Sequence, residues 1–303
     1  MKYDFTSIMD RRGRDAIAVD GLKGDGFSPA PPKEGFDAIP MWVADMNFPT
    51  VDPADPLRLT DEEEELLHTL ELSFRHNARL HEHVRFLYSN GSMYKCCNSN
   101  LLYHGCIPMT ENREFDGLMV GGKMYRGKEL MDFIDTQVKN AYFLPEDAPE
   151  KEACRDFMWY LWNGAKSPVF GKDKNRSLEH YFIEDPEVMR ETMNPYYQLS
   201  EEEETCDMIL KEFGLPTKGS HIINGHMPVK IKSGETPIRA GGKLFIIDGG
   251  LSKAYQERTG IAGYTLIFNS HHLALAEHKP FDPERERTPK VYIVEKMQKR
   301  ITV

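Results

Sequence analysis

Apolar positions change their period along the chain. From Thr60, Leu66, Leu67, Leu70, Phe74, Leu80, Val84 and Leu87 recur on or near one face of a helix that the spacing carries to Asn90-Gly91. Thr60 with Glu63 has the Thr-x-x-Glu form of a capping box, and the acidic run Asp61 to Glu65 suits a solvated first turn that the helix dipole favours. Ser92 to Cys97 and Leu101 to His104 flank Asn98-Ser99-Asn100 and predict a hairpin. Helices are expected over about 128–141 and 149–162, the second with Trp159 and Trp162 three apart as core residues. Residues 163–198 are mixed and loop-rich, and Ser200 with Glu203 forms a second capping-box pattern for a helix ending at Gly214. The last third predicts strands at 222–225, 243–247, 263–268, 273–276 and 291–295, with His271-His272 in a turn. Residues 21–40, rich in Gly and Pro, read as an extended arm, and no repeat of fixed period occurs. Helices early and strands late predict a sheet domain covered by helices, in the α/β class and of α+β type.

Two strand ends carry the candidate chemistry. His221-Ile222-Ile223-Asn224-Gly225-His226-Met227-Pro228 leads a β-prone run into a Gly-His pair, and Pro228 prevents the strand from continuing. Leu101-Leu102-Tyr103-His104-Gly105-Cys106-Ile107-Pro108 has the same design. An imidazole at a strand end beside a glycine is accessible, and two of them are what a metal site at a sheet edge needs; the plain alternative is a pair of turns. Cys106 has no evident base beside it and reads as a small packed thiol rather than a nucleophile. Lys166, Lys172, Lys174 and Arg176 form a basic run that either clamps phosphates or stands as a solvated loop.

Composition narrows the classes. The chain has 303 residues, 40% hydrophobic and 28% charged, enough for a substantial core in one large or two small domains. A net charge of −10 argues against nucleic acid and anionic membrane surfaces as main partners. The 5 cysteines include adjacent Cys96-Cys97 and no C-x-x-C, so neither a disulfide framework nor a zinc ribbon is expected, and reduced thiols fit a cytoplasmic location. No apolar leader opens the chain and no stretch approaches the ~20 apolar residues of a membrane span.

Several long runs then resemble a known family. FPTVDPADPLRLTDEEEELL, GSMYKCCNSNLLYHGCIPM, SPVFGKDK, HIINGHMPVKIKSGETPIRAGGKLFIIDGGLSKAYQ and GIAGYTLIFNS occur in the order found in the C-terminal part of class III fructose-1,6-bisphosphatases, so that residues 48–303 resemble that part. The resemblance implies a calcineurin-like metallophosphoesterase β-sandwich flanked by helices, incomplete at its N-terminal side. It implies hydrolysis of the 1-phosphate of fructose 1,6-bisphosphate at a two-metal site, with Mn²⁺ as cofactor and a sugar bisphosphate as substrate. His104 and His226 match the family's His-Gly and Gly-His motifs and would bind the same one of two metals. Lys172, Lys174, Lys253 and Tyr255, in two of the best-matched runs, are the implied substrate-binding residues.

The departures are as informative. The family's Asp-x-His, Gly-Asp-x-x-Asp-Arg-Gly and Gly-Asn-His motifs, which supply most of the metal shell, do not occur in residues 1–103. The C-terminus also reads as cut on a strand. Residues 1–47, with MKYDFTSIMDRRGRDAI and AIPMWVADMNF, instead resemble the N-terminal arm of pyridoxal-phosphate-dependent cystathionine β-lyases, with the seam near Met46 to Thr50. No Schiff-base lysine can be placed after that arm, so pyridoxal phosphate is not an expected cofactor. The expectation is a partial metallophosphatase of weak or no activity. The alternatives are a lyase-like protein, or a non-catalytic fusion fragment that self-associates or pairs with a complementing N-terminal fragment.

Overall fold

A computed structural model describes residues 58–176, 183, 185–250, 259–260, 263–269 and 271–278, the backbone of 290–296, and short stretches at 17–20, 22, 30–31 and 33–35. The seam at 46–50, Lys253, Tyr255 and most of the N-terminal arm lie outside the described residues. The chain divides into two compact units, residues 1–91 with 177–189, and residues 92–176 with 190–303.

The first unit contains one helical turn, α1 (Ile17–Asp20), and two longer helices, α2 (Asp61–Arg75) and α3 (Ala78–Asn90). The capping box forms as expected: Glu63 N–H donates to Thr60 Oγ1 at 3.3 Å, and Thr60 N–H to Glu63 Oε2 at 2.8 Å. The single long helix does not form. Asn77 sits in extended backbone and accepts a hydrogen bond from Leu80 N–H at 2.9 Å, so it starts a new helix two residues after the first ends. Leu66, Leu67, Leu70, Phe74 and Leu87 lie along these helices as exposed residues, and neither helix buries a side chain.

The second unit is a mixed α/β body. Its main sheet has five strands in the order β1 (Tyr94–Cys97), β2 (Asn100–Tyr103), β5 (His221–Asn224), β7 (Leu244–Ile246), β6 (Ile238–Arg239). β1 and β2 form the expected hairpin, but its turn is only Asn98-Ser99, both at positive φ (51° and 63°), as a two-residue primed turn demands, so Asn100 belongs to β2. β2, β5 and β7 run parallel, with Leu101 opposite Ile222 and Ile222 opposite Leu244. A hairpin absent from the sequence reading, β3 (Gly117–Val120) and β4 (Lys123–Arg126), turns at Gly121-Gly122 with φ of 56° and 80°. β8 (Gly263–Phe268), β9 (His272–His278) and β10 (Lys290–Lys296) make a separate antiparallel sheet. His272 therefore starts a strand rather than sitting in a turn.

Helices pack by their apolar spacing. α7 (Glu203–Glu212) buries Cys206, Ile209 and Leu210 in a core shared with Leu101, Ile222 and Leu244 of the main sheet and Tyr264 and Leu275 of the three-stranded one. α4 (Gly127–Phe143) and α5 (Pro149–Asn163) enclose a second core of Leu130, Ile134 and Leu161. A short α6 (Tyr196–Leu199) interrupts the loop-rich stretch. Ser200 does not cap α7: it has right-handed helical backbone and closes α6, and Glu202 begins α7 without a side-chain cap. Trp159 and Trp162 are not core. The buried face of α5 carries Lys151, Cys154 and Leu161, which leaves both indoles more than half exposed. α7 ends as expected at Gly214, where Gly214 N–H bonds Lys211 O and Leu215 N–H bonds Leu210 O around φ 72°. Among the described residues, no helix is long and apolar enough to cross a membrane.

Cys106, Cys154 and Cys206 are buried and Cys96 and Cys97 exposed. Burial pushes the Cys106 thiol up to about 12, so it is protonated and inert at neutral pH, as the packed-thiol reading expects. A thiol-reactive disulfide reagent should therefore label Cys96 and Cys97 in the native protein and the other three only in denaturant. Rapid native labelling of Cys106, located by peptide mapping, would contradict its burial.

Candidate metal centre

Parallel pairing brings the two histidine motifs together. Because β2 and β5 are hydrogen-bonded neighbours running the same way, both leave the sheet at the same edge, and the residues just past their ends are His104-Gly105 and Gly225-His226. Gly225 N–H donates to His104 O at 2.9 Å and ties the two exits. His104 Nε2 stands 3.1 Å from His226 Nδ1, and the rings meet edge to face with centroids 5.0 Å apart. His104 is exposed and His226 half-buried.

The backbone is arranged for this contact. Gly105 lies against the 165–172 loop, where Cys106 N–H donates to Pro168 O at 2.9 Å, and a side chain on Gly105 would put its Cβ 2.4 Å from that oxygen. His226 takes φ 65°, a left-handed conformation uncommon outside glycine. A carbonyl only accepts, so the proton of His226 is on Nε2, donated to Phe170 O at 3.1 Å, and Nδ1 presents its lone pair toward His104. Burial, then the neighbouring His104 and Lys172, hold the His226 imidazole below its ordinary pKa, which favours the neutral form that a ligand needs.

Two nitrogens bound at ~2.1 Å to one ion, at angles between octahedral and tetrahedral, stand ~3.0–3.4 Å apart. The pair at 3.1 Å fits that span, and the carbonyl behind His226 is the kind of second partner that orients a ligating imidazole. The residues present thus fit part of a divalent-metal shell. Among the described residues, no group of three or more His, Cys, Asp or Glu side chains is placed to hold an ion. One carboxylate missed in the sequence reading lies close: Asp248 follows β7, the third parallel strand, and its Cβ would be 3.8 Å from a Cβ on Gly225. Its signal in the sequence is the strand followed by Asp248-Gly249-Gly250.

The basic run meets this site through one residue. Lys172 acts on His226 electrostatically and is paired with Glu191 at 2.6 Å. Burial raises the Glu191 carboxyl, but hydrogen bonds from Lys172 Nζ and Arg176 N–H outweigh it and hold the group below the usual range. Lys166 pairs with Asp116 at 3.0 Å and Arg176 with Glu191 at 4.0 Å. Lys166, Lys172 and Arg176 are thus matched by carboxylates. Lys166, Lys172, Asp173, Thr192, Asn194 and Gln198 line an open cleft of about 650 Å³; Lys174 is half-buried on the same loop but does not line it.

These features stand beside a direct relationship to known proteins. A family described as Firmicute fructose-1,6-bisphosphatase matches residues 37–303, and the chain belongs to this family. It is 53% identical over 239 residues to the class 3 fructose-1,6-bisphosphatase of Bacteroides fragilis, covering 79% of this chain and 36% of that protein. The Finegoldia magna protein of the same name is 48% identical over 265 residues (86% and 41%), and that of Fusobacterium nucleatum 52% over 246 (81% and 38%). The chain therefore spans about two fifths of the length of these relatives. No solved structure matches it.

Proposed function

We propose that this chain carries part of a metal-dependent phosphatase acting on a sugar bisphosphate, fructose 1,6-bisphosphate in the reading its relatives' names support. The observation that carries the proposal is the His104–His226 pair, two neutral-capable imidazoles 3.1 Å apart at the exit of adjacent parallel strands, in a chain of this family. In this reading the five- and three-stranded sheets are the two layers of a metallophosphoesterase sandwich, residues 48–303 are the partial phosphatase domain, and residues 1–47 are an arm.

A bound divalent cation, Mn²⁺ in this proposal, would polarise a phosphoryl oxygen and lower the pKa of a coordinated water. His104 and His226 would hold it, with His226 locked in one tautomer by Phe170 O. Lys172, beside them, is placed to meet substrate phosphate; Glu191 holds its ammonium in position until an anion competes for it. Lys174, Lys253 and Tyr255 remain the other proposed substrate contacts. Net acidity disfavours nucleic acid and anionic membranes as partners.

The experiment has two readouts. Mn²⁺ binding to the 303-residue chain, followed by electron paramagnetic resonance, should weaken at least ~10-fold in His104→Ala and in His226→Ala. Phosphate release from fructose 1,6-bisphosphate with added Mn²⁺ should be slight for this chain alone, because two imidazoles are a small share of a two-metal shell. Mn²⁺ binding indifferent to both substitutions would overturn the site. Full turnover abolished by His226→Ala would show that the remaining ligands lie within these residues after all.

A further inference from the structure

The two histidine motifs are joined beneath the surface by one carboxamide. Asn224, the last residue of β5, is 4% exposed. Its Nδ2 donates to Gly105 O at 3.2 Å, on the exit of β2, and to Tyr196 Oη at 2.8 Å on α6. Tyr196 Oη is in turn 2.6 Å from Tyr103 Oη, the last residue of β2. Asn224 O accepts from Ile247 N–H at 3.0 Å, on the exit of β7 that leads to Asp248. One residue thus links the exits of β2, β5 and β7, which lead to His104, His226 and Asp248.

Two observations say that this is more than packing. Asn224 Oδ1 is buried and meets no protein donor, and the side chain lines a cavity of about 110 Å³ together with Tyr196, Tyr197, Gly225 and Met227. A carboxamide costs more to bury than an apolar side chain of the same branched shape, so stability alone favours the apolar one here, and local departures of that kind concentrate where function needs them. His226, two residues on, holds a positive φ that persists only where its surroundings over-determine it.

We propose that Asn224 is a positioning residue for the metal centre: its Nδ2 fixes the Gly105 carbonyl and, through it, the spacing and tautomer of His104 and His226. The metal arm of this inference rests on the function proposed above; the tautomer arm does not.

The test compares Asn224→Leu, Tyr196→Phe and Tyr103→Phe with the wild type, metal-free and ¹⁵N-labelled, by long-range imidazole ¹H–¹⁵N spectra. The wild type should show His226 protonated at Nε2 only. Asn224→Leu keeps the branched shape of the side chain but removes the donor. It should give averaged His226 nitrogens and weaken Mn²⁺ binding roughly 10- to 100-fold, the range seen when a partner behind a metal ligand is lost. Tyr196→Phe removes one of the two acceptors and should show the same change in part. Tyr103→Phe deletes a hydroxyl that reaches Asn224 only through Tyr196 and should leave His226 unchanged, although it too loses a buried hydrogen bond. A folded Asn224→Leu with wild-type spectra overturns the inference, as does an equal disturbance by Tyr103→Phe. If Asn224→Leu does not fold, an unaltered His226 in Tyr196→Phe overturns it instead. A wild type that binds no Mn²⁺ defeats the metal reading, while the metal-free spectra still judge Asn224.

Discussion

Replacing Gly105 with alanine should destabilise the protein by about 3 kcal/mol and separate the two imidazoles, whereas the same change at Gly225 should cost under about 1 kcal/mol. The two glycines look equivalent in sequence, each beside a histidine at a strand end, and the structure tells them apart. A Cβ on Gly105 would come within 2.4 Å of Pro168 O, a backbone atom that cannot swing aside as a flexible side chain would. Relief requires the 165–172 loop to move and breaks the bond from Cys106 N–H to that oxygen. Overpacking of this kind costs about 1–3 kcal/mol, and the lost hydrogen bond adds about 1 kcal/mol. Cys106 and Ile107, which follow, are fully buried, so the displacement falls on the accessible side, toward His104. Gly225 has room by contrast: the nearest atoms to its Cβ are His104 O at 3.7 Å and Asp248 Cβ at 3.8 Å, and its φ is not positive. Urea midpoints with unchanged slope measure the stability terms, and the Mn²⁺ signal reads the site. Equal destabilisation by the two substitutions would mean that the close approach of Gly105 to Pro168 is not a constraint of the fold.

Much of this arrangement is legible in the sequence because the signals are local. The Thr60–Glu63 box, the stop at Gly214 and the strand around 263–268 each depend on residues within a turn or a strand of one another. The pairing of His104 with His226 came from the similarity of their motifs and from the family resemblance, and needed β2 and β5 to be parallel neighbours. Sequence pattern alone cannot give that, since they are 122 residues apart. Asp248 and Asn224 were passed over for the same reason: each acquires meaning only from the strand beside it. The β3–β4 hairpin is a different kind of miss, since Gly121-Gly122 between two short runs is a turn signal in plain view. Apolar periodicity misled twice. It carried one helix through Asn77, where a capping side chain restarts the backbone. It also placed Trp159 and Trp162 in the core, although the face of α5 that packs is set by Leu161 and Cys154.

Lys166, Lys172 and Arg176 cluster in sequence, but folding supplies Asp116 and Glu191 from distant segments. Pairs that solvent still reaches contribute little to stability, ~0–1 kcal/mol each, so their consequence is positional. Of the three, Lys172 both lines the cleft and acts on His226, which is why it is the cation proposed above to meet substrate.

Phe245→Ala should destabilise the second unit by about 4 kcal/mol, near the middle of the range for emptying a phenylalanine site. Phe245 is fully buried on β7, opposite Ile223 of β5 on one side and Ile238 of β6 on the other. Its ring meets His221 edge to face at 5.2 Å and shares a core cluster with Ile223 and with Leu273 of the three-stranded sheet. Those neighbours belong to strands anchored by their own backbone ladders, so they cannot close over the void, and the cavity cost adds to the lost transfer energy. Domain stabilities are about 5–15 kcal/mol, so a loss of this size leaves a protein close to its unfolding threshold. Trp159→Ala is the contrast. It removes a still larger side chain, but one that is 58% exposed, and should shift stability by about 0.5 kcal/mol or less. The site should follow Phe245 as well, because β7 pairs with β5, which delivers His226, and itself leads out to Asp248. Thermal unfolding of the two variants beside the wild type decides the matter. Comparable losses from Phe245 and Trp159 would show that the core is not where the buried positions place it, and that the sheet edge carrying the two histidines is held by something other than the packing of β7.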